Sequence, residues 1–445
     1  NEYISVIIAD NSGAQYYGRV AQPTEATGTV DIKIPSDLAD GTYTLNVFSE
    51  QYNGGANDDT KLTDYASAFE VVTLTVAPFL PPPPVSYRIC DENGQNWETE
   101  SCSNYTVVES STTAWSDGWY VVNSSVTIPK RVTVSGEVHL ILEDGAVLEI
   151  DRGIQVQDDD DDPSTVSANK LTIYAQSDKE NMGVLTTSGD DDAGIGGDKN
   201  GSGGTITING GNVIANGRQW SAGIGGGIDG SGGTITINGG KVKAIGGAGA
   251  GIGGGTRGSG GTITINGGEV EASGNKGAGI GGSGEKITIS GGTVIASGGC
   301  NSAGIGGGGG LYLYDGAVDI AAGNGGTITI TGGKVTASGG SYSAGIGGGN
   351  NGSGGTITIS GGEVTAIGNT GGAGIGNGSE YIGSGSNSFT TGTSGDALIF
   401  ANGGISDQSS QDSWSGIIFE GDTGTVYGDQ TLQENLEIPS GKTLT

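Results

Sequence analysis

Residues 205–225 read T-I-T-I-N-G-G-N-V-I-A-N-G-R-Q-W-S-A-G-I-G, and this phrase decides the fold because it returns down the chain. TITINGG recurs at Thr234 and Thr262, then as KITISGG at Lys286, TITITGG at Thr327 and TITISGG at Thr356. Each copy is followed by a short V-x-A run and then by A-G-I-G, at Ala222, Ala250, Ala278, Ala303, Ala344 and Ala373. Three short strands with glycine-rich corners, every 24 to 29 residues, make one coil of a three-faced parallel β-solenoid. Alternation sends Ile206, Ile208, Val213 and Ala215 inward and the threonines outward. The Ile of A-G-I-G completes a thin layer of core that is stable only when neighbouring coils stack on it. Parallel crossovers make the expected hand right.

Stacking in register also makes a prediction about charge. The outward positions of the second strand are Lys241 and Lys243 on one coil and Glu269 and Glu271 on the next, and Lys334 is followed one coil later by Glu363. Opposite charges on adjacent strands support that register.

Working outward, strand-like runs begin before the regular repeats, at Val126-Thr-Ile-Pro, Arg131-Val-Thr-Val, Val138-His-Leu-Ile-Leu and Ala146-Val-Leu-Glu-Ile, and continue after Gly376 with Ala397-Leu-Ile-Phe-Ala and Ser415-Gly-Ile-Ile-Phe-Glu. The β-helix is therefore expected over residues 104–445, with regular coils at 170–376 and an insertion at Gly310–Asn324 that protrudes as a loop or hairpin. Residues 1–77 alternate with turn residues between runs, the pattern of a small β-sandwich, and 78–103 read as a proline-rich linker followed by a loop. The fold class is all-β. The chain opens on Asn1, and its last phrase, from Asn435, echoes Ser125-Val-Thr-Ile-Pro, so a piece of something longer is expected.

Composition narrows the chemistry. Glycine supplies 93 of 445 residues, without the strict period of collagen. The net charge of −31 makes nucleic acid and anionic membrane poor partners. No apolar run approaches the roughly 18 residues of a membrane span. One histidine, one methionine and three cysteines remove most routes to His-based catalysis, transition-metal sites and haem. His139 lies in VHLIL, where alternation points it outward, and it has no second histidine to work with.

The phrases themselves are familiar. Gly41-Thr-Tyr-Thr-Leu, Phe48-Ser-Glu-Gln-Tyr-Asn-Gly and Thr63-Asp-Tyr-Ala-Ser resemble an immunoglobulin-like module of large surface proteins in Gram-positive anaerobes. Gly118-Trp-Tyr-Val-Val, Val138-His-Leu-Ile-Leu-Glu-Asp-Gly and the AGIGGG/GGTITINGG units resemble the glycine-rich β-helix segments of the same proteins. The resemblance implies an extracellular protein of the bacterial cell surface or cell wall, non-catalytic, serving as a rigid stalk and as an adhesin for polysaccharide or a host surface, beside adjoining segments or copies of the same protein. A purely structural fibre is the nearest alternative. A more distant likeness to pectate-lyase β-helices raises a polysaccharide-active enzyme, for which Lys199 is the only basic residue near the carboxylates in sequence. An ice-binding solenoid is raised by the outward T-x-T pairs, which stack into two columns broken once at Lys286.

Candidate sites follow. Asp158, Asp159, Asp160, Asp161 and Asp162, with Asp198 and Asp229, follow successive Ile-containing strands and are expected on one turn of neighbouring coils, as hard oxygen ligands for Ca²⁺. Trp220 at a corner, Tyr312 and Tyr314 in the insertion and Tyr342 in a loop are candidate sugar platforms. Cys90 and Cys102, twelve apart in a loop-rich stretch, are expected as a disulfide in an oxidising exterior, leaving Cys300 buried or inert.

Overall fold

The computed structural model describes residues 2–21, 32, 34, 38–52, 62–76, 82–156, 169–309, 323–379, 387–406, 411–430, 436 and 438–445. The chain divides into two compact units, Asn1–Pro81 and Pro82–Thr445. In the first, four antiparallel strands lie in the order Gly13–Ala21, Glu2–Asp10, Gly41–Tyr52, Leu62–Val76. Val6, Ile8 and Tyr43 are buried on this sheet. It is the one sheet the described residues of this unit hold, so the second layer of a sandwich is not among them.

The second unit is a solenoid. Thirty strands between Thr106 and Leu444 form one continuous sheet. In the regular part each strand pairs in parallel with the third strand after it, so a coil holds three. Thr205–Ile208 lies on Thr234–Ile237, then on Thr262–Ile265, Lys286–Ile289, Thr327–Ile330 and Thr356–Ile359. The V-x-A strands and the Ile-Gly pairs make the second and third faces. Among the described residues only the turn Gln411–Ser413 is helical, and the one antiparallel pair of the large sheet, Gly416–Glu420 with Thr423–Tyr427, lies near its C-terminal end.

Alternation is obeyed to the residue. Ile206, Ile208, Val213, Ala215, Ala222 and Ile224 are fully buried, and the same positions are buried in every regular coil. The expected charge pairs form, with Lys241 3.7 Å from Glu269, Lys243 2.9 Å from Glu271 and Lys334 3.1 Å from Glu363. The third face is only Ile-Gly wide because coils approach closely there. Gly225 and Gly253 hold φ of 129° and 136°, and a Cβ on Gly253 would collide with the carbonyl oxygen of Gly281.

Within the segment expected as linker and loop, residues 82–103 are folded. Val85–Ile89 and Glu98–Cys102 form an antiparallel hairpin with Val85 opposite Cys102 and Ile89 opposite Glu98. That register also corrects the disulfide. Cys90 lies beyond one end of the hairpin and Cys102 is at the other, about five residues or ~17 Å apart at strand spacing, whereas a disulfide needs Cα atoms within roughly 7 Å. Both are free thiols, and Cys300 is free and exposed rather than buried.

Candidate functional site

The hairpin is held by an apolar patch on the outside of the solenoid. In the first coils the strands Ala114–Val122, Val132–Leu142 and Lys170–Ala175 place Val121, Ile141 and Tyr174 in register, pointing away from the core. All three are buried, because Val85, Tyr87 and Cys102 of the hairpin cover them. Tyr87 packs against Trp119 and Tyr174 with ring centroids 4.7 and 4.9 Å apart. His139 points outward as expected but is only partly exposed. It stacks on Trp119 at 4.3 Å, and its Nδ1 lies 3.1 Å from the Tyr174 hydroxyl. Burial holds the imidazole below its ordinary pKa against the opposing charge of Glu137, and burial also pushes the Tyr174 phenol up. The imidazole is thus packed within an aromatic stack, between Trp119 and Tyr174.

Beyond the strands, the hairpin loop is shaped by Asp91. Its Oδ1 accepts the N–H groups of Asn93 and Gln95 at 3.0 and 2.8 Å, and Oδ2 accepts Asn96 Nδ2 at 2.7 Å. These bonds, led by the one from Gln95, hold the carboxyl below its usual range. The turn lays residues 91–97 over the N-G-G corners of three coils, where three buried amides form a head-to-tail ladder. Asn266 Nδ2 donates to Asn238 Oδ1 and Asn238 Nδ2 to Asn209 Oδ1, each at 2.8 Å. Asn266 Nδ2 also reaches the Glu92 carbonyl at 3.3 Å. Gly94 and Gly239 permit the approach, since a side chain at Gly94 would strike Asn266 and one at Gly239 would meet Trp97.

Between loop and corners runs a groove of about 430 Å³. Trp97 walls it, with the Arg88 guanidinium 4.8 Å from the ring centre and bonded to Asp178 at 2.7 Å. On the floor, Asn209 is 7% exposed, and its Nδ2, the open end of the ladder, has no partner among the described residues. An aromatic wall beside a guanidinium, a carboxylate and a free amide donor suits a polyhydroxylated ligand, which offers both apolar C–H faces and hydroxyls. None of these residues stood out in the sequence as a site. The available signal was broken alternation: Ile141 between Leu140 and Leu142, and Tyr174 after Ile173, put apolar side chains on the outer face, which then needs a cover.

The predicted sites land as follows. Trp220, Lys276, Cys300 and Tyr342 share the corner between second and third strands on different coils, with Trp220 38% and Tyr342 42% exposed. Lys276 Nζ sits 5.9 Å from the Trp220 ring centre. Tyr312 and Tyr314 lie outside the described residues, as do Asp158, Asp159, Asp160, Asp161 and Asp162. The alignment of Asp198 with Asp229 is corrected. Asn200 N–H donates to Ile228 O and Asp229 N–H to Thr256 O, so Asp229 stacks in the column of Asn200 and Arg257, two positions from Asp198. All three column members take left-handed φ of 62–68°. Asp229 pairs with Arg257 at 3.0 Å, and Asp198 accepts Gln155 Nε2 at 3.4 Å. Among the described residues no three potential ligands cluster around a cation position.

Near the carboxylates, Lys199 is not the only cation. Arg131 reaches from an earlier coil to Asp192 at 3.0 Å and bonds the carbonyls of Arg152 and Gly197, clamping the first coils together. No helix among the described residues is long and apolar enough to cross a membrane.

No curated protein and no solved structure matches the chain. A family model described as a beta helix repeat matches residues 206–228, 235–256, 263–284, 287–309, 328–350 and 357–379. The six matches fall on the six coils that the repeated TITI phrase opens, and the chain carries β-helix repeats.

Proposed function

We propose that the protein is a non-catalytic segment of a secreted bacterial surface protein, a stiff stalk that binds a glycan in the groove beneath the hairpin. The observation that carries this reading is the groove: Trp97, the Arg88–Asp178 pair and the open Nδ2 of Asn209 converge on one space. The thirty-strand sheet supports the stalk. The resemblance of the sequence phrases to surface proteins supports the location. A glycan array with the whole chain, repeated with Trp97→Ala and with Trp220→Ala and Tyr342→Ala, tests the reading. Binding lost in Trp97→Ala alone supports the groove. Loss only in the corner variants moves the site to the corner, and an empty array leaves the stalk without a ligand.

One observation favours a second reading. Thr172, Thr207, Thr236, Thr264, Thr288, Thr329, Thr358 and Thr390 form an unbroken outward column, beside the shorter one that Lys286 interrupts. Coils repeat at about 4.8 Å and alternate strand residues at about 7 Å, a flat regular lattice of hydroxyls and methyls. Faceted ice crystals in dilute protein solution, abolished by Thr236→Lys, would support ice binding; rounded crystals would dismiss it.

A further inference from the structure

A second cavity lies on the third face, where the repeat loses the most residues. Nine residues separate Ile252 from Thr262, as they do Ile224 from Thr234 and Ile346 from Thr356. Only five separate Ile280 from Lys286. The corner that would stack on Thr256–Gly258 is therefore four residues short, and the chain on the far side is that of the following coil, at Gly308, Gly309 and Gly323. The gap is a cavity of about 340 Å³.

The shortening also disturbs the backbone. In the neighbouring coils the alanine that opens A-G-I-G donates its N–H to the carbonyl four residues on: Ala222 to Gly226, Ala250 to Gly254, Ala303 to Gly307, Ala344 to Gly348. In the shortened coil the Gly282 carbonyl instead accepts Gly308 N–H. Ala278, 1% exposed and lining the cavity, is left with no acceptor for its N–H among the described residues. Buried amides without a partner are rare, and one that borders a cavity marks where a ligand atom would be held.

The charge around it is unusual for this chain. Carboxylates outnumber cations 49 to 18 overall, yet the charged residues described in the lining are two cations, Arg257, which pairs with Asp229 at 3.0 Å, and Lys276, whose Nζ lies 5.9 Å from the Trp220 ring centre. The remaining lining is glycine, alanine, serine and threonine, which leaves peptide dipoles close to whatever enters. Trp220 is outside the lining but adjoins it, its carbonyl accepting the Thr256 hydroxyl and its ring centre 5.9 Å from Lys276 Nζ.

We propose that this cavity binds an anionic group, a carboxylate or sulfate, held by Lys276 and the Ala278 N–H, with the Asp229-paired Arg257 beside it. The shared chemistry comes from two sources: an acidic saccharide whose sugar ring rests on Trp220, or a free inorganic anion. The site is separate from the groove beneath the hairpin and does not depend on it.

Amide resonances of the whole isotope-labelled chain, titrated with sodium sulfate and with sodium glucuronate against sodium chloride at matched ionic strength, test the proposal. The Ala278 resonance is expected to shift saturably with at least one of the two probes and not with chloride. Lys276→Gln is expected to weaken that binding about tenfold, the effect of losing one charge-assisted bond, while Lys199→Gln at another corner leaves it unchanged. Glucuronate binding tighter than sulfate, and weakened by Trp220→Ala, identifies a saccharide. Equal binding unaffected by Trp220→Ala identifies a free anion. No saturable shift at Ala278 with either probe, or equal loss in Lys276→Gln and Lys199→Gln, overturns the proposal.

Discussion

One outward column of the first face runs through three kinds of residue, and its two main stretches solve the same problem differently. In the first coils it reads Val121, Ile141, Tyr174; in the next three it reads Asn209, Asn238, Asn266; further on it reads Ser290 and Thr331. The apolar stretch is covered by the strands of the hairpin and the amide stretch by its loop. Past Asn266 the hairpin has no described contact and the residues are small hydroxyls. A covered solenoid flank thus needs either apolar side chains or amides that satisfy one another, because a buried polar group without a partner costs about 1–3 kcal/mol.

The sharpest test writes one solution into the other. Ile141→Asn puts an amide between Val121 and Tyr174 with no ladder to join, and removes a fully buried side chain. Loss of the side chain alone is expected to cost about 2–5 kcal/mol, as for other large-to-small core changes, with the stranded amide adding to it. Urea unfolding of the second unit, Pro82–Thr445, measures this. Thr236→Ala on the open part of the same face is expected to change stability by less than about 0.5 kcal/mol. Equal effects from the two would mean that the hairpin does not seal the flank.

Glu285 is the counter-example, a buried polar group with neither solution. It is 2% exposed, and among the described residues neither carboxylate oxygen has a hydrogen-bond partner. Burial pushes its pKa up to about 8. The folded state therefore holds a proton that the unfolded state releases near the ordinary value of 4.5, so stability is greatest below that pH and falls as pH rises towards 8. The expected result is a melting temperature that drops between pH 5 and pH 8, and a smaller drop in Glu285→Gln, which stays neutral throughout. The same slope in both proteins would place the titration elsewhere.

Much of this was legible in advance, and the exceptions have physical causes. Period-2 alternation in TITI and V-x-A names the core residues, and the Lys241/Glu269 and Lys334/Glu363 offsets name the register, because both rules act between neighbours in a repeat. The groove was not legible, because it joins Trp97 to Gly239 and Asn266 across more than a hundred residues. The hairpin was hidden behind Pro81–Pro84, which reads as a spacer, and by Asp91-Glu-Asn-Gly-Gln-Asn, a turn that reads as loop. Asp198 and Asp229 misled because counting from A-G-I-G overlooks a two-residue offset that backbone hydrogen bonds fix.

The ladder itself gives an intermediate effect. Asn238→Leu fits the apolar solution into the amide stretch, and leaves Asn209 Oδ1 without the Asn238 amide and Asn266 Nδ2 without its Asn238 acceptor. A cost of about 1–3 kcal/mol is expected, smaller than that of Ile141→Asn because Asn266 keeps Glu92 O and Asn209 keeps its edge on the groove. Groove binding should weaken in parallel, since Asn209 Oδ1 then keeps only the long 3.9 Å contact from Cys90 Sγ. Unchanged glycan affinity in a destabilised Asn238→Leu protein would separate the ladder's structural role from any role in the site.

The smallest effect belongs to the second face, where outward charges do what the amides do on the first, at the surface instead of under a cover. Lys243 and Glu271 are each about half exposed, at 45% and 54%, so solvent screens their attraction even at 2.9 Å. Lys243→Gln is expected to cost at most ~0.2–1 kcal/mol. Raising salt to about 1 M, where the screening length is roughly 3 Å, should remove most of the difference between the two proteins. Asn238→Leu should keep its full cost at the same salt, because its lost bonds are between buried neutral groups. If the Lys243→Gln loss also survived high salt, the lysine would be acting through the packing of its methylene stem along the face, and the contrast between covered and open columns would be one of packing alone.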